Sequence, residues 1–322
     1  MIKGKRLLVT GGAGFIGSTA ALRLVNDNDI VLFDNMHRNA MQHTLAGLDG
    51  RVGLIKGDVT DFSVLKAAVD EVRPTHIIHA AGIAGINTVS QRPVTTLEVN
   101  MVGTAHILKA AREIGGIERI VTFSTSEVFG SHALNASHET PAEIGPVGEP
   151  RWSYAASKLG AEHLTVAHFV QYGLPAVSVR PFNVYGPGQV GEGAMSIFVQ
   201  RALKDQPITI HGDGGQIRSW CYVDDMVDGV MLSLDHPNAP GKAFNIGNPR
   251  ATETIYSLAR TVVRLLDSKS DIIFAPKPGA DIELRIPDIA WPREQIGFEP
   301  KVDLEQGIVR TAEFYRRVQE AG

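Results

Sequence analysis

The 322-residue sequence contains a single cysteine, Cys221, and this scarcity excludes several kinds of site. One thiol can form neither an intramolecular disulfide nor a cysteine cluster for a metal. The eleven histidines are scattered, and no His-Glu-x-x-His run or similar set of ligands occurs. His76 and His79 lie on a predicted strand, where a structural role is the simpler interpretation. We therefore expect no metal site.

Long apolar runs and an excess of positive charge are also missing. No stretch reaches about 18 consecutive apolar residues and the amino-terminal segment has no signal-peptide core, so we predict neither a transmembrane helix nor secretion. With 31 Lys and Arg against 35 Asp and Glu, the net charge of −4 excludes a strongly basic nucleic-acid or membrane-surface binder. We expect a cytoplasmic protein with no nucleic-acid or membrane partner.

The composition is that of a folded chain with extra glycine. Hydrophobic residues make up 43% of the chain and charged residues 20%, which is enough to bury a sizeable core. The 33 glycines exceed the usual share of about 7%, so their positions carry information. At about 150 residues per domain, the length fits two domains or one large α/β unit.

Short β-rich runs alternate with helical patterns through the first half of the chain. The runs are continuously apolar, as expected for a parallel sheet that is covered on both faces. This order predicts a doubly wound α/β fold of the Rossmann type. The predicted strands span residues 6–10, 30–33, 52–56, 76–80, 119–124 and 176–180, and the predicted helices span 16–26, 64–71, 94–114 and 153–172.

After Pro181 the pattern changes. Residues 183–193 are rich in glycine and proline, residues 275–285 resemble a punctuated loop, and isolated helices are predicted at 196–204 and 254–266. We therefore divide the chain into a Rossmann domain, residues 1–182, and a smaller substrate-binding region, residues 183–322, which is partly interleaved with the first.

A glycine-rich turn follows the first predicted strand and opens the first helix. In this turn Gly11 permits a tight bend, Gly14 allows backbone to approach a pyrophosphate, and Gly17 allows close packing of helix on strand. The helix amino terminus then offers unpaired N–H groups to the phosphates. Asp34 ends the second strand 20 residues after Gly14, where a carboxylate binds the ribose hydroxyls and repels a 2′-phosphate. The pattern predicts NAD rather than NADP.

Further residues are expected around this cofactor. Asp58 and Val59 follow the third strand and could flank the adenine, although Asp58 also suits a helix cap or a turn. Small residues after the fourth strand would let the cofactor lie against the edge of the sheet. The full set of cofactor residues that we predict is Gly11, Gly14, Phe15, Ile16, Gly17, Asp34, Asn35, Asp58, Val59, Ala80, Ala81, Gly82, Asn100, Tyr154 and Lys158.

Tyr154 and Lys158 lie four residues apart in a predicted helix and therefore share one face. A nearby ammonium favours the phenolate, so we expect the pKa of Tyr154 to fall below its ordinary value of about 10. Such a tyrosine can act as a general base on a sugar hydroxyl near neutral pH.

Thr125, Ser126 and Glu127 come directly after the fifth predicted strand. The carboxyl ends of strands are where open α/β sheets place groups that contact ligands. Thr125 could bond the hydroxyl that Tyr154 deprotonates, and Glu127 could act as an acid or base at a neighbouring carbon. A solvated loop carboxylate is the alternative for Glu127. With Tyr154 and Lys158, these three residues are the predicted catalytic set.

Together these motifs resemble the extended short-chain dehydrogenase/reductases that act on nucleotide sugars as epimerases, dehydratases or decarboxylases. The resemblance covers essentially the whole chain and includes the glycine turn, Asp34, Thr125, the Tyr154–Lys158 pair, RPFNVYGP at 180–187 and RSWCYVDD at 218–225. It implies NAD as the cofactor and a nucleotide-diphosphate sugar as the substrate.

The same resemblance implies substrate contacts and an assembly. Asn183 and Arg218 are similar to residues that hold the nucleotide diphosphate, and a guanidinium suits phosphate oxygens. The family also implies a homodimer joined through the helices near 94–114 and 153–172. The outer faces of these helices could equally be ordinary solvated surface.

Several details favour decarboxylation of UDP-glucuronate within this family. GPVGEPRW at 145–152 resembles the UDP-glucuronate decarboxylase of aminoarabinose synthesis, and FNIGNP at 244–249 resembles UDP-xylose synthases. ELRIPD at 283–288 resembles a decarboxylase motif whose arginine meets the glucuronate carboxylate, a role that falls on Arg285. Ser126 and Glu127 replace the Asp-Glu pair typical of dTDP-glucose 4,6-dehydratases.

Other details keep further reactions open. Residues 83–92 lack the proline-rich pattern of UDP-xylose synthases and are more typical of an epimerase, and the Arg-Lys-Pro of those synthases is Arg-Ile-Pro at 285–287. GDP-mannose 4,6-dehydratases share the Thr-Ser-Glu triplet, so Glu127 is compatible with dehydration.

The resemblance implies that sugar carbon 4 is oxidised to a transient ketone while Tyr154, helped by Lys158 and Thr125, removes the hydroxyl proton. The 4-keto group would make a 5-carboxylate a β-keto acid, which loses carbon dioxide easily. The alternatives are a 4-epimerase for UDP-glucose or UDP-glucuronate, a dehydratase in which Glu127 takes the carbon-5 proton, and a non-catalytic NAD-binding regulator.

Overall fold

Seven parallel strands form the central sheet of the computed structural model, which describes residues 2–46, 48, 50–277, 279 and 281–321. The strands in chain order are β1 (Arg6–Thr10), β2 (Asp29–Asp34), β3 (Val52–Lys56), β4 (His76–His79), β5 (Arg119–Phe123), β6 (His132–Ala136), β7 (Ala176–Pro181), β8 (Val184–Tyr185), β9 (Ile208–His211), β10 (Ile217–Ser219), β11 (Cys221–Tyr222), β12 (Ala243–Ile246), β13 (Thr252–Thr254), β14 (Ile272–Ala275) and β15 (Leu284–Pro287).

Helices connect these strands and cover the sheet. They are α1 (Phe15–Leu24), α2 (Met41–Thr44), α3 (Phe62–Val72), α4 (Ile86–Gln91), α5 (Pro93–Leu97), α6 (Gly103–Ile114), α7 (Trp152–Tyr172), α8 (Ala194–Ala202), α9 (Val223–Asp235), α10 (Ile255–Leu265), α11 (Ala290–Ile296) and α12 (Leu304–Ala321). A π-helical segment, Glu98–Val102, joins α5 to α6, and a short 3₁₀ turn, Ser126–Val128, follows β5.

The strand order β3–β2–β1–β4–β5–β7–β12 reverses direction between β1 and β4. Ligands bind open α/β sheets at such a switch point, outside the carboxyl ends of the strands. The chain leaves β1 at Gly11 and leaves β4 at Ala80, so the glycine turn and the small residues that follow β4 meet there. The predicted doubly wound parallel sheet is confirmed.

Most of the apolar runs that predicted the sheet are buried on both faces, whereas the edge strand β3 is partly exposed along its whole length. Leu7, Leu8 and Val9 of β1 are completely buried, and so are Ile77 and Ile78 of β4. Helices α3 and α6 pack on one face of the sheet, and α1 and α9 pack on the other. Burial on both faces explains why continuous rather than alternating hydrophobicity marked these strands. The six predicted strands and the helices at 16–26, 64–71 and 153–172 lie within two residues of the observed bounds.

The helix predicted at 94–114 has the right extent but contains the π-helical segment Glu98–Val102. A π turn inserts a residue into the regular hydrogen-bond ladder and is frequent at functional sites. Here it presents the side chain of Asn100 to the backbone of Ile83. Periodicity alone predicted an uninterrupted helix because a π turn changes the spacing by one residue only.

Beyond Pro181 the chain both completes the first sheet and builds smaller ones. Strand β12 pairs with β7, so the central sheet contains strands from both sides of the boundary predicted after residue 182. A four-stranded sheet has the order β13–β10–β15–β6, and β8 pairs with β11 and β9 with β14. The loop predicted at 275–285 is bounded by β14 and β15, and its residues 278 and 280 lie outside the described residues. Among the helices described, none is long and apolar enough to cross a bilayer.

Candidate active site

The glycine turn brings two loops into direct backbone contact at the switch point. Gly11 has a φ of +67°, and a Cβ on it would lie 2.4 Å from the amide nitrogen of Ala81. A Cβ on Gly17 would lie 2.3 Å from the carbonyl oxygen of Gly11. Neither position can carry a side chain without moving the backbone. The turn is therefore shaped for close approach, as a dinucleotide pyrophosphate requires.

Asp34 anchors this turn from the end of β2. Its Oδ2 accepts a hydrogen bond from the amide of Ala13 at 3.0 Å, and its Oδ1 accepts one from the amide of Met36 at 2.7 Å. Burial raises the pKa of Asp34, and the two amide hydrogen bonds oppose that rise. Each oxygen retains a lone pair for a further donor, such as a ribose hydroxyl.

A cavity of about 430 Å³ opens between the glycine turn and the loops that follow β2, β3 and β4. It is of the size that small-molecule cofactor sites have, and its lining fits a dinucleotide. Predicted cofactor residues that line it are Gly11, Gly14, Phe15, Ile16, Gly17, Asp34, Asn35, Asp58, Val59, Ala80, Ala81 and Gly82. Arg38, Thr88 and Val190 also line this cavity, and the sequence analysis gave them no role.

Asn100 lies behind this cavity rather than in its lining. Its Oδ1 accepts a hydrogen bond from the amide of Ile83 at 2.8 Å, and its Nδ2 donates to the carbonyl of Ile83 at 3.1 Å. Nδ2 also donates to Ser157 Oγ at 3.1 Å. Asn100 therefore fixes the loop that follows β4 against α7, and its contact with the cofactor stays a prediction.

Lys158 sits on α7 beside the carboxyl end of β5. Its Nζ donates to the carbonyl of Phe123 at 3.0 Å, and a Cβ on Gly82 would lie 2.9 Å from this Nζ. Burial lowers the pKa of Lys158 to about 8. The ammonium thus lies next to the cavity, held by one backbone carbonyl and short of other partners.

The expected fall in the pKa of Tyr154 is wrong for this structure. Burial and the nearby carboxylate of Glu127 raise the pKa of Tyr154 to about 12, while a hydrogen bond from Thr125 and the charge of Arg285 oppose the rise. The Lys158 ammonium donates a hydrogen bond to the carbonyl oxygen of Phe123. Helical spacing placed the two residues on one face, but it could not show that the carboxylate of Glu127 acts on the phenol from another element.

The loop after β5 brings the predicted catalytic triplet to Tyr154. Thr125 Oγ1 accepts a hydrogen bond from the amide of Glu127 at 3.2 Å and so caps the 3₁₀ turn. Thr125 and Ser126 are buried, and the Glu127 side chain is 16% exposed. Tyr154, Thr125 and Glu127 therefore form one cluster, with Lys158 on the next turn of α7.

Three buried arginines surround Glu127 and a second carboxylate, Asp281. Glu127 Oε1 lies 3.6 Å from Arg285 Nη1 and 3.7 Å from Arg151 Nη2. Asp281 Oδ1 lies 3.6 Å from Arg151 Nη2 and 3.4 Å from Arg218 Nη2. Three cations thus face two carboxylates, and most of these separations are too long for hydrogen bonds.

Three guanidinium nitrogens in this cluster, on two arginines, are left without acceptors. Nε and Nη2 of Arg285 and Nε of Arg151 are buried and have no hydrogen-bond partner. Arg285 and Arg151 are 4% and 5% exposed. Burial and the neighbouring arginines lower the pKa of Arg218 to about 10, and burial lowers the pKa of Arg285. Unpaired buried donors are costly, so the cluster favours an anionic ligand that offers several oxygens.

Arg151 and Asp281 were missed by sequence reasoning. Arg151 stands three residues before Tyr154, which puts it at the start of α7 and close to the catalytic face, so a helical-spacing argument could have found it. Asp281 lies in a loop without a motif, and the fold alone brings it to the arginines.

Of the two residues expected at the diphosphate, Arg218 lies in β10, and Asn183 lies between β7 and β8 and contacts the end of β10. Asn183, with a φ of +37°, donates from Nδ2 to the carbonyl of Ser219 at 2.9 Å. Arg218 donates to the carbonyls of Ile217 and Ile282 as well as lying near Asp281. Their contact with a diphosphate stays a prediction.

The histidines of β4 are structural. His79 is hydrogen-bonded to Thr10 Oγ1 at 2.7 Å and to Thr104 Oγ1 at 3.1 Å. Complete burial lowers its pKa to about 3, so the ring is neutral. In the part of the chain that the structure describes, no group of three or more His, Cys, Asp or Glu could hold a metal ion.

Comparison with known proteins agrees with this geometry. The model of the NAD dependent epimerase/dehydratase family matches residues 7–247. A UDP-N-acetyl-alpha-D-glucosaminuronate decarboxylase from Bacillus cytotoxicus is 32% identical over 98% of this chain and 99% of its own. UDP-glucuronic acid decarboxylase 2 from Arabidopsis thaliana is 35% identical over 98% of this chain and 69% of its own.

Solved structures of similar proteins share the whole fold. An epimerase from Methanothermobacter thermautotrophicus superposes with a TM-score of 0.90 at 28% identity, covering 99% of this chain and 94% of its own. A Thermus thermophilus UDP-glucose 4-epimerase in complex with NAD superposes with a TM-score of 0.85 at 30% identity, covering 97% of this chain and 99% of its own.

Proposed function

The chain belongs to the NAD-dependent epimerase/dehydratase family and is an NAD-dependent nucleotide-sugar enzyme, and we propose that its reaction is the decarboxylation of UDP-glucuronate. One observation carries the choice of reaction. The buried donors of Arg285 and Arg151 that lack acceptors lie beside Glu127 and Tyr154, where a sugar carboxylate would supply the missing oxygens.

NAD, when bound, supplies a reversible hydride acceptor for sugar carbon 4. The residues that line the cavity would hold it, with Asp34 at the ribose hydroxyls and the glycine turn at the pyrophosphate. Gly82 keeps the cavity open beside Lys158, because any side chain there would meet the Lys158 Nζ.

Tyr154 is the proposed general base for the carbon-4 hydroxyl. Its pKa of about 12 means that the phenol is protonated at neutral pH in this structure, so its action depends on the charges that the ligands bring. Lys158, with a pKa of about 8, is largely cationic at neutral pH and lies one turn further along the same helix face. Thr125 orients the phenol through its hydroxyl.

The decarboxylation step follows from the resulting ketone. A carboxylate on carbon 5 is then β to a carbonyl group, so the bond between carbons 5 and 6 breaks and its electron pair moves into an enolate. Arg285 orients the carboxylate, and carbon dioxide leaves. Glu127 and Ser126 lie where they could manage the proton that returns to carbon 5, after which carbon 4 is reduced again.

An epimerase is the second candidate because the superposed Thermus thermophilus structure is a 4-epimerase. Epimerisation would use Tyr154 in the same way. With UDP-glucose it would leave the arginine cluster without a carboxylate to bind, and with UDP-glucuronate the carboxylate would bind there and be retained in the product. A dehydratase, with Glu127 taking the carbon-5 proton, is third. A non-catalytic NAD-binding regulator would not need Thr125, Tyr154 and Lys158 assembled at the cavity.

Product mass separates these candidates. The protein is incubated with NAD and UDP-glucuronate, and separately with UDP-glucose, and the products are analysed by mass spectrometry. Decarboxylation predicts loss of carbon dioxide from UDP-glucuronate alone. Loss of water would indicate a dehydratase, and a new sugar of unchanged mass would indicate an epimerase. Absence of turnover with any nucleotide sugar, while NAD still binds, would overturn the enzymatic proposal.

We also propose a homodimer, formed through the helical stretch from Pro93 to Ile114 and helix α7. Val94 is 65% exposed and Met101 41% exposed, and Met101 packs on Gly160 of α7. In this proposal residues 1–182 bind NAD and residues 183–322 supply the nucleotide-sugar region, with Asn183 and Arg218 at the diphosphate. A cytoplasmic location would suit a chain whose single cysteine is buried and free.

A further inference from the structure

Three separate parts of the chain meet at one end of the cofactor cavity. They are the loop after β2, the start of α4, and the segment 188–193, which we name the strap. The lining at this end includes Arg38 of the loop after β2, Thr88 of α4 and Val190 of the strap. The strap comes from the second half of the sequence, so it crosses to a cavity built by the first half.

Glu192 fastens the strap to α4. Its Oε2 accepts a hydrogen bond from the amide of Asn87 at 2.7 Å, and its Oε1 accepts one from the amide of Thr88 at 3.1 Å and one from Thr88 Oγ1 at 2.8 Å. These amides belong to the first turn of α4, where no intrahelical acceptor exists. The strap is thus held by three hydrogen bonds that one exposed carboxylate accepts.

The hydroxyl group of Thr88 links Glu192 to Arg38. The hydroxyl of Thr88 donates to Glu192, and its oxygen accepts a hydrogen bond from Arg38 Nη2 at 3.2 Å. The backbone of the strap also contacts the guanidinium, because a Cβ on Gly191 would lie 3.0 Å from Arg38 Nη1. Gly191 has a φ of +93°, which suits glycine. Arg38 is therefore held at the cavity wall by the hydroxyl of Thr88 and by the backbone of the strap at Gly191.

The carboxylate of Glu192 is linked to Arg38 only through the hydroxyl of Thr88 and does not bond the guanidinium directly. Within the described residues Arg38 forms no ion pair, and Thr88 is its hydrogen-bond acceptor. A guanidinium has five N–H donors, so most of them are available to a ligand. In NAD the negative charge resides on the two phosphates, which an arginine binds by charge-assisted hydrogen bonds.

We propose that Arg38 is a pyrophosphate-binding residue for NAD, and that the Glu192–Thr88 contact holds it in place so that the strap retains the cofactor between turnovers. A reaction that consumes and restores NAD within one cycle gains from a slowly released cofactor. The proposal rests on NAD as the cofactor and does not depend on which sugar reaction follows. The role of Arg38 and the proposed decarboxylation can therefore be disproved independently.

Release of the dinucleotide tests this assignment. Protein loaded with NADH is mixed with excess NAD in a stopped-flow instrument, and the loss of bound-NADH fluorescence gives the dissociation rate. Arg38→Met should raise this rate about tenfold to hundredfold, the value of a hydrogen bond to a charged group. Thr88→Val and Glu192→Gln should each raise it about twofold to tenfold. In the Arg38→Met/Thr88→Val double variant the effects should be less than multiplicative, because both act through one chain of bonds.

Controls make the result specific. Arg264→Met and Glu305→Gln break an exposed ion pair outside the cavity and should leave the rate within about twofold of wild type. A rate unchanged in Arg38→Met would overturn the role of Arg38, and normal rates in both Thr88→Val and Glu192→Gln would overturn the role of the strap. If Arg38→Met weakened NADP binding and spared NAD, the arginine would instead read a 2′-phosphate, and the proposal would be wrong.

Discussion

At the scale of single residues, the site is defined by buried charge that the protein itself does not balance. Arg285, Arg151 and Arg218 face Glu127 and Asp281, and the donors without acceptors are confined to Arg285 and Arg151 within this cluster. Burying a charge without a good partner is costly, so such an arrangement indicates a ligand that completes it. A uronic acid carboxylate has the charge and the oxygens required.

Replacing Arg285 tests this interpretation. Arg285→Ala should weaken UDP-glucuronate binding about tenfold to hundredfold, because a charge-assisted hydrogen bond is lost, and should change UDP-glucose binding far less. Isothermal titration with each nucleotide sugar on NAD-loaded protein measures both. Arg264→Ala, at an exposed position, is the control. Equal losses for the two sugars would remove the carboxylate role of Arg285.

Lys158 predicts a dependence of stability on pH. Its pKa is lowered to about 8 in the folded protein, whereas in the unfolded chain it is near 10.5. Between these values the unfolded chain binds more protons, so this group makes stability rise as the pH rises from about 8 to about 10.5. Lys158→Met removes the cost of burying the ammonium. Its gain in unfolding free energy should therefore be larger at pH 7 than near the upper end of that window.

Urea denaturation of the cofactor-free wild type and Lys158→Met at both pH values measures this difference. Lys158→Met should have lost turnover whether or not its stability changes. A gain of the same size at both pH values would mean that Lys158 is not buried as a charge.

At the scale of elements, helix α7 carries the catalytic pair and is tied to the sheet by a buried ion pair. Glu162 of α7 accepts hydrogen bonds from Arg180 of β7 at 2.9 and 2.5 Å, and the two side chains are 9% and 11% exposed. Arg180 Nη1 already lacks a partner, and the guanidinium lies 5.0 Å from the ring centroid of Phe129. This contact fixes the face of α7 that presents Tyr154 and Lys158.

Breaking this pair should destabilise the fold strongly. Glu162→Ala leaves the Arg180 charge buried and unpaired, which we expect to cost about 3–5 kcal/mol of unfolding free energy. Glu305→Ala breaks the exposed pair with Arg264 and should cost about 1 kcal/mol or less. Chemical denaturation of both variants gives the comparison. Similar small losses would show that the buried pair does not anchor α7.

Elements with a strong local signal were predictable, and elements defined by tertiary contacts were not. The buried strands and the helices α1, α3 and α7 follow from hydrophobic pattern and from the glycine turn. The π-helical segment at Glu98–Val102 and the strap follow from the side-chain contacts of Asn100 and Glu192, which no periodicity encodes. The pKa of Tyr154 was mispredicted for the same reason, since Glu127 reaches the phenol from another element.

At the scale of the whole molecule, both halves of the sequence contribute residues to the cofactor cavity and to the arginine cluster. Strand β12 completes the cofactor sheet from the second half, and the strap reaches the cofactor cavity from there. The arginine cluster likewise joins Arg151 from the first half to Arg218 and Arg285 from the second. Cofactor and substrate residues are therefore expected to unfold together.

The proposed homodimer is a prediction at this scale. A Val94→Glu/Met101→Glu variant places charges on the exposed face of the helical stretch from Pro93 to Ile114 and should be monomeric by analytical ultracentrifugation. Ile273→Glu, on the exposed strand β14, is the matched control and should leave the assembly state unchanged. A double variant that sediments like wild type would exclude this interface.

The fate of the substrate carboxylate decides whether this site decarboxylates a UDP-linked uronic acid, as we propose. UDP-glucuronate labelled with carbon-13 at the carboxylate is incubated with the NAD-loaded protein, and labelled carbon dioxide is measured together with the remaining nucleotide sugar. We expect one labelled carbon dioxide for each substrate molecule consumed, and we expect Tyr154→Phe to abolish its release. Consumption of UDP-glucuronate with the label retained in the sugar product would show that the reaction is not a decarboxylation.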